Sequence, residues 1–350
     1  VKKLRTLALA AIGVVLPVAL GACRTSSSAS TAPQQPPPYY GPQQPYPQQP
    51  YPQQPYPQQP YPNAPGPGAP PPPPAPPPAQ RPLLAPLVGP QAWQNELRGI
   101  LAELLNALSP QNQALVRGIP LVFDPTFEVN AFAGCDEQGA PFLAATAGIL
   151  EAVDAIAQTK ATDELFGTQT YDAYCNAVMP AMVKSDKARA GLPAGIIPAN
   201  LGPDPRRWSR AREIFDEVLA FTFGHELAHH YLGHTGCAKG QGGSGPDPAR
   251  LGRLLTIVPL FNQAAEAASD TSGAYNALDA GRARRPQYEW NENGGLTLLD
   301  YFARLERAAG AGGPLSLLNP VGFLRTHPNP LARMPLLQAT ARTWHSQHPR

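Results

Sequence analysis

Four of the seven histidines in the chain fall between residues 225 and 234, in the run FTFGHELAHHYLGHTG. His225 and His229 are four apart, so a helix stacks them one turn apart on one face and offers two imidazoles to a single ion. Glu226 stands about 100° round from that face. From there a carboxylate reaches a water on the metal without taking a coordination position, as a general base does in zinc peptidases. The expected chemistry is hydrolytic: one zinc ion per chain lowers the pKa of a water to about 7, and Glu226 accepts its proton and later passes it to a leaving amine.

A catalytic zinc needs a third protein ligand and an open position. The pattern HExxHxxGxxH would require Gly at 232 and His at 235, but Leu232 and Thr235 stand there, and His234 is one residue early. His230 and His234 are therefore read as neighbours or structural hydrogen-bonders. A second source is the run VPLFNQAAEAASDTSGAYNALDAG, where Glu266 and Asp270 are four apart. On a helix both carboxylates share one face. Such a pair is commonly just a solvated face. Beside an incomplete zinc site, Glu266 is read instead as the third ligand and Asp270 as the group that holds a ligand histidine by its other ring nitrogen. Ala264, Ala265, Ala267 and Ala268 are small enough to let the two helices approach closely.

The elements that must position these groups follow from periodicity and punctuation. PQAWQNELRGILAELLNAL carries apolar residues at helical spacing, with a short helix expected near 111–117. IPLVFDPTFEVNAFAG and PFLAATAGIL are short β-type runs split by the turn signal GCDEQGA. Helices are expected near 145–158, 161–188, 205–233, 260–279 and 295–309, with one more after Pro328. Asp204-Pro205 supplies an N-cap and a first-turn proline for the motif helix, and Gly233 ends it. That helix is apolar on more than one face, so it is expected to be central and buried. The order of elements predicts an α+β, mainly helical fold with a small β-sheet beside the motif helix.

The N-terminal part reads differently. Lys2, Lys3 and Arg5 precede an apolar run of roughly 14 residues, too short to span a bilayer. Leu20-Gly21-Ala22-Cys23 resembles the bacterial lipobox, so residues 1–22 are read as a lipoprotein signal and Cys23 as the lipidated anchor to a membrane. Residues 23–89 hold more than half of the 46 prolines, including QQPYPQQPYPQQPYPQQPYP, and are expected to form an extended tether. Residues 90–350 are enough for one domain with a core. A net charge of +2 without a basic cluster argues against nucleic acid as a partner. Three cysteines follow Cys23. Cys135 with Cys175 is the expected disulfide, although three pairings are open. The glycine-rich stretch at 236–248 is read as a flexible connector or a lid.

These residues together resemble the HtpX and CAAX-prenyl-protease type of zinc metallopeptidase, within the wider group whose third ligand is glutamate. The resemblance rests on Asn130-Ala131-Phe132-Ala133 ahead of TAGIL, on HELAHHYLGH, on Glu266 to Asp270, and on THPNPLAR at 326–333. It implies a zincin-type fold, zinc on His225, His229 and Glu266, and Glu226 as base. It also implies that Asn130, Ala131, Phe132 and Ala133 form an edge strand along which a peptide substrate lies extended. His327 would approach the metal, stabilising an oxyanion or occupying the open position, and Arg333 would act as a structural ion-pair partner. An envelope endopeptidase of protein turnover is the implied role, and Arg24 after the lipidated Cys23, with no Asp there, points to the periplasmic face of the outer membrane if the host has one. The alternative is a zinc-binding, chaperone-like or latent envelope lipoprotein.

Overall fold

The structure is a computed structural model that describes residues 82–240, 263–284, 288–310, 327 and 329–349. The chain divides into two units, Val1–Pro74 and Ala75–Arg350, and all described residues lie in the second. The expected signal, the anchor at Cys23 and nearly all of the proline-rich tether lie outside the described residues. So does most of the glycine-rich stretch after Gly240.

Helices α1 (Pro90–Ala107) and α2 (Pro110–Val116) come first. The Ser109 hydroxyl, accepting from the Asn112 N–H, caps α2. The two β-type runs yield three short strands: β1 (Leu121–Asp124), β2 (Ala131–Cys135) and β3 (Pro141–Thr146). Sheet order is β1-β3-β2, with β1 parallel and β2 antiparallel to β3. The first run therefore contains two strands, since Pro125 to Asn130 carries the chain across to the far side of β3. Helix α3 (Ala147–Phe166) leaves β3 directly, and the Thr146 hydroxyl accepts from the Ile149 N–H at 3.1 Å.

Helix α4 (Thr170–Met182) follows α3. The expected break near 159–160 is absent. Thr159 and Thr162 are buried and turn their hydroxyls back to helix carbonyls, and α3 runs on to Gly167, whose φ of 65° supplies the left-handed cap. Helix α5 (Pro205–Tyr231) starts where expected, with the Asp204 carboxylate accepting from the Arg206 N–H. Helices α6 (Gln263–Ala283), α7 (Asn293–Ala308) and α8 (Pro330–Gln347) complete the described part.

Helix α5 is the axis of the domain. From Ile214 to Tyr231 every residue is buried, because α1, α2, α3, α6, α7 and the β2–β3 pair all pack around it. Phe215, Val218, Leu219, Phe223, Leu227 and Ala228 join one continuous core with Leu97, Ile149, Leu299 and Phe302. The result is a mainly helical α+β domain with eight helices and a three-stranded sheet among the described residues. No helix among them is long and apolar enough to cross a membrane.

Helix α6 crosses α5 closely, but not through the alanines. Ala264 and Ala268 are exposed, while Glu266, Ser269, Asp270 and Gly273 form the buried stripe at i, i+3, i+4 and i+7. Contact is made by Gly273 against Gly224. A β-carbon on Gly273 would stand 2.5 Å from the His225 nitrogen, and one on Gly224 would stand 2.8 Å from the Gly273 oxygen.

Candidate metal centre

The glycine contact places the carboxylate stripe of α6 directly against the histidine face of α5. His225 Nε2 and His229 Nε2 lie 3.0 Å apart, and Glu266 Oε1 lies 3.3 Å from His229 Nε2. Glu266 Oε2 is 3.5 Å from His225 Nε2. His327 arrives from far along the chain. Its Nδ1 stands 2.9 Å from Glu266 Oε2 and 3.3 Å from His225 Nε2. These four side chains are fully or almost fully buried, and one ligand atom from each lies within 4.8 Å of all the others.

The donor set fits a metal ion. Four tetrahedral ligands about 2.0–2.1 Å from one ion stand about 3.3 Å from one another, close to the separations found here. The Nδ1 of His225 lies 2.9 Å from Asp270 Oδ1, and a ring proton on that side would leave the Nε2 lone pair facing the cluster. Lone pairs of nitrogen and carboxylate oxygen brought together out of water repel unless a cation sits among them. The buried group His225, His229, Glu266 and His327 can thus hold a metal ion.

Supporting groups flank three of the four donors, His225, Glu266 and His229. Arg333 donates from Nε and Nη2 to the two oxygens of Asp270 at 2.7 and 2.6 Å, and its Nη1 lies 3.0 Å from Glu266 Oε2. Burial opposes charge on Asp270, but the Arg333 guanidinium holds its carboxyl below the usual range. Glu266 is likewise opposed by burial and held well below its usual value by His327 and His225. Burial pushes His229 down to about 3, which keeps its ring neutral. His229 Nδ1 meets His234 Nδ1 at 3.0 Å, and Ser269 Oγ stands 3.2 Å from the same His234 nitrogen. His230 is turned away, bonding the Phe142 carbonyl at 2.9 Å and the Thr235 hydroxyl at 3.0 Å.

Glu226 is outside the four-donor group and beside it. Its Oε2 accepts from the Ala133 main-chain N–H at 2.9 Å, and its Oε1 lies 3.4 Å from His327 Nε2. Burial raises its pKa. The register explains why Ala133 is available. Thr146 N–H donates to the Asn130 carbonyl, so the even-numbered residues of β2 turn their main-chain groups to β3. Ala131 and Ala133 turn theirs the other way, and β2 pairs with no second strand among the described residues. Asn130 is buried with neither side-chain amide atom hydrogen-bonded, and Phe132 is buried beside Phe142.

The structure therefore gathers His225, Glu226, His229, Glu266, Asp270, His327, Arg333 and the Ala131–Ala133 edge. It corrects the disulfide: Cys135 is joined to Cys237, and Cys175 is the free, buried cysteine on α4. Cys175 sits inside the helical core, whereas the chain after α5 turns back onto the end of β2. Sequence reading did not find Ala133 as the partner of Glu226, because a main-chain N–H leaves no trace in residue identity. It also did not assign His234 and Ser269 to the back of His229. Comparisons with protein-family models, curated proteins and solved structures find no match.

Proposed function

We propose that the domain is a zinc-dependent endopeptidase with a zincin-type site, anchored at the cell envelope through Cys23 and acting on protein or peptide substrates. The observation that carries the reading is Glu226. Its carboxylate lies beside the His225, His229 and Glu266 donors and is tied to the side of β2 that faces away from β3. A zinc ion held there would polarise a carbonyl and make a water nucleophilic near neutral pH. Glu226 would serve as the base that takes a proton from water and as the acid that returns it to the leaving amine. The main-chain groups of Ala131 and the Ala133 carbonyl, turned away from β3, would align an extended peptide. Asp270 and Arg333 keep the His225 ring and the Glu266 carboxylate in orientation.

The test is metal content and casein cleavage, wild type beside Glu226→Gln. Glutamine keeps an oxygen for the Ala133 N–H but cannot accept the proton. One zinc in both proteins with cleavage in wild type alone supports the reading, and cleavage by zinc-loaded Glu226→Gln removes Glu226 as base.

A second reading rests on His327. With its Nδ1 beside Glu266 and His225, the donor set numbers four, and a closed four-ligand set is the form of structural or latent zinc. In that case the protein is a latent peptidase or a metal-binding, chaperone-like envelope factor. Zinc without cleavage in wild type, with cleavage gained by His327→Ala, identifies the latent form.

A further inference from the structure

The segment that follows α5 makes three attachments within four residues. Gly233 and Gly236 adopt φ of 79° and 76°, conformations open to glycine, and fold the chain back on the helix end. His234 then meets His229 Nδ1, on the opposite side of the ring from the donor cluster. Thr235 meets His230 Nδ1, whose other nitrogen bonds β3 at Phe142. Cys237 is bonded to Cys135, the last residue of β2, two residues beyond the Ala133 N–H that holds Glu226. One covalent bond thus joins the support of a metal-donor histidine to the strand that positions the adjacent carboxylate.

The surroundings favour a local role for that bond. Neither cysteine belongs to the hydrophobic core, and both are only half-buried. Beyond the disulfide the chain is fastened separately, where the Gly240 N–H donates to the Leu115 carbonyl at 3.1 Å. The packing of α5 against α3, α6 and α7 does not run through either cysteine.

We propose that the Cys135–Cys237 disulfide is a positioning device for the metal centre, and that its opening by a dithiol loosens the metal and the edge strand together. The inference rests on the metal reading of the His225 cluster. In the opening step the dithiol is oxidised to a disulfide, and Cys135 and Cys237 take up its two electrons and two protons as thiols. His234 then no longer fixes the His229 ring, and Ala133 no longer presents its N–H to Glu226 at a fixed point.

The experiment uses the full chain with Cys175→Ser, which removes the buried free thiol. Zinc affinity is measured by chelator competition, and main-chain exchange at Ala133 by hydrogen–deuterium exchange, with and without Cys135→Ser plus Cys237→Ser. A parallel sample is reduced, alkylated and freed of reagent so that no thiol competes for zinc. Zinc affinity about tenfold weaker in both disulfide-free forms, with faster Ala133 exchange and an unchanged helical circular dichroism signal, is expected. Unchanged affinity and unchanged exchange overturn the proposal. Loss of the helical signal overturns it as well, since the bond would then hold the whole fold. If no form binds zinc, the metal reading fails by itself, and Ala133 exchange still decides whether the bond clamps the strand.

Discussion

Asp270 Oδ1 stands 2.9 Å from His225 Nδ1, and the same carboxylate is gripped by Arg333 through two hydrogen bonds of 2.7 and 2.6 Å. The three side chains form one line from α8 through α6 to α5, ending on His225 Nδ1, across the ring from the Nε2 that faces the donor cluster. Removing the middle member leaves all four donors in place but frees the His225 ring to rotate and change tautomer. Asp270→Ala is expected to weaken zinc binding about 10- to 100-fold, read by chelator competition. An unchanged affinity would show that the helix packing alone orients His225.

Arg333 is the cation facing two buried carboxylates. Arg333→Leu leaves Asp270 and Glu266 without it and is expected to destabilise the metal-free domain by about 3–5 kcal/mol, measured by urea unfolding. The pH dependence has a definite sign. Because Arg333 holds the Asp270 pKa below the ordinary 3.8, the stabilisation is fully present above pH 3.8 and is lost as pH falls through the folded-state value. The stability difference between wild type and Arg333→Leu should therefore shrink as pH falls below 3.8, which urea titrations at pH 3 and pH 7 would show.

The close crossing of α5 and α6 depends on Gly273. Gly273→Ala puts a methyl group 2.5 Å from the His225 nitrogen, a backbone atom with nowhere to move without shifting the helix. A loss of about 1–3 kcal/mol is expected together with weaker zinc binding, since the same shift separates Glu266 from His229. Gly99, with open space around its β-carbon position, is the control: Gly99→Ala should leave zinc binding unchanged.

Glu217, about two turns before His225 on α5, accepts from the Asn291 amide, and burial pushes its pKa up from 4.5 to about 7. A carboxyl with a raised folded-state pKa favours folding below pH 4.5, and that advantage is lost as pH rises through about 7. The shift corresponds to roughly 3 kcal/mol. Glu217→Gln should remove this slope and be more stable than wild type at pH 8, as urea titrations at pH 5 and pH 8 would show.

His327 contributes the one donor that comes from outside α5 and α6. If it shares the ion, His327→Ala lowers zinc affinity and opens a coordination position, so casein cleavage should rise while binding weakens. A fall in both would assign His327 to the reaction instead.

The local geometry of the site was legible in residue spacing. His225 with His229, and Glu266 with Asp270, share faces because the α-helical period is fixed by backbone hydrogen bonding whatever surrounds the helix. Asp204-Pro205 marked the start of α5 for the same reason: caps and first-turn prolines act within a few residues. The boundary between α3 and α4 was misplaced because Thr159 and Thr162 have only middling helix propensity, and burial against the core overrode it.

What the sequence alone determined, then, was which side chains share a helical face and what chemistry those types perform. Only the tertiary structure decided which faces meet. The Cys135–Cys237 bond and the His225–His327 approach each span 102 residues, and His327 reaches Glu266 across 61. The Glu226 contact runs to a main-chain N–H made available by the register of β2 on β3. Contacts of that kind follow from how the core packs and where the chain turns back, and no short-range period records them.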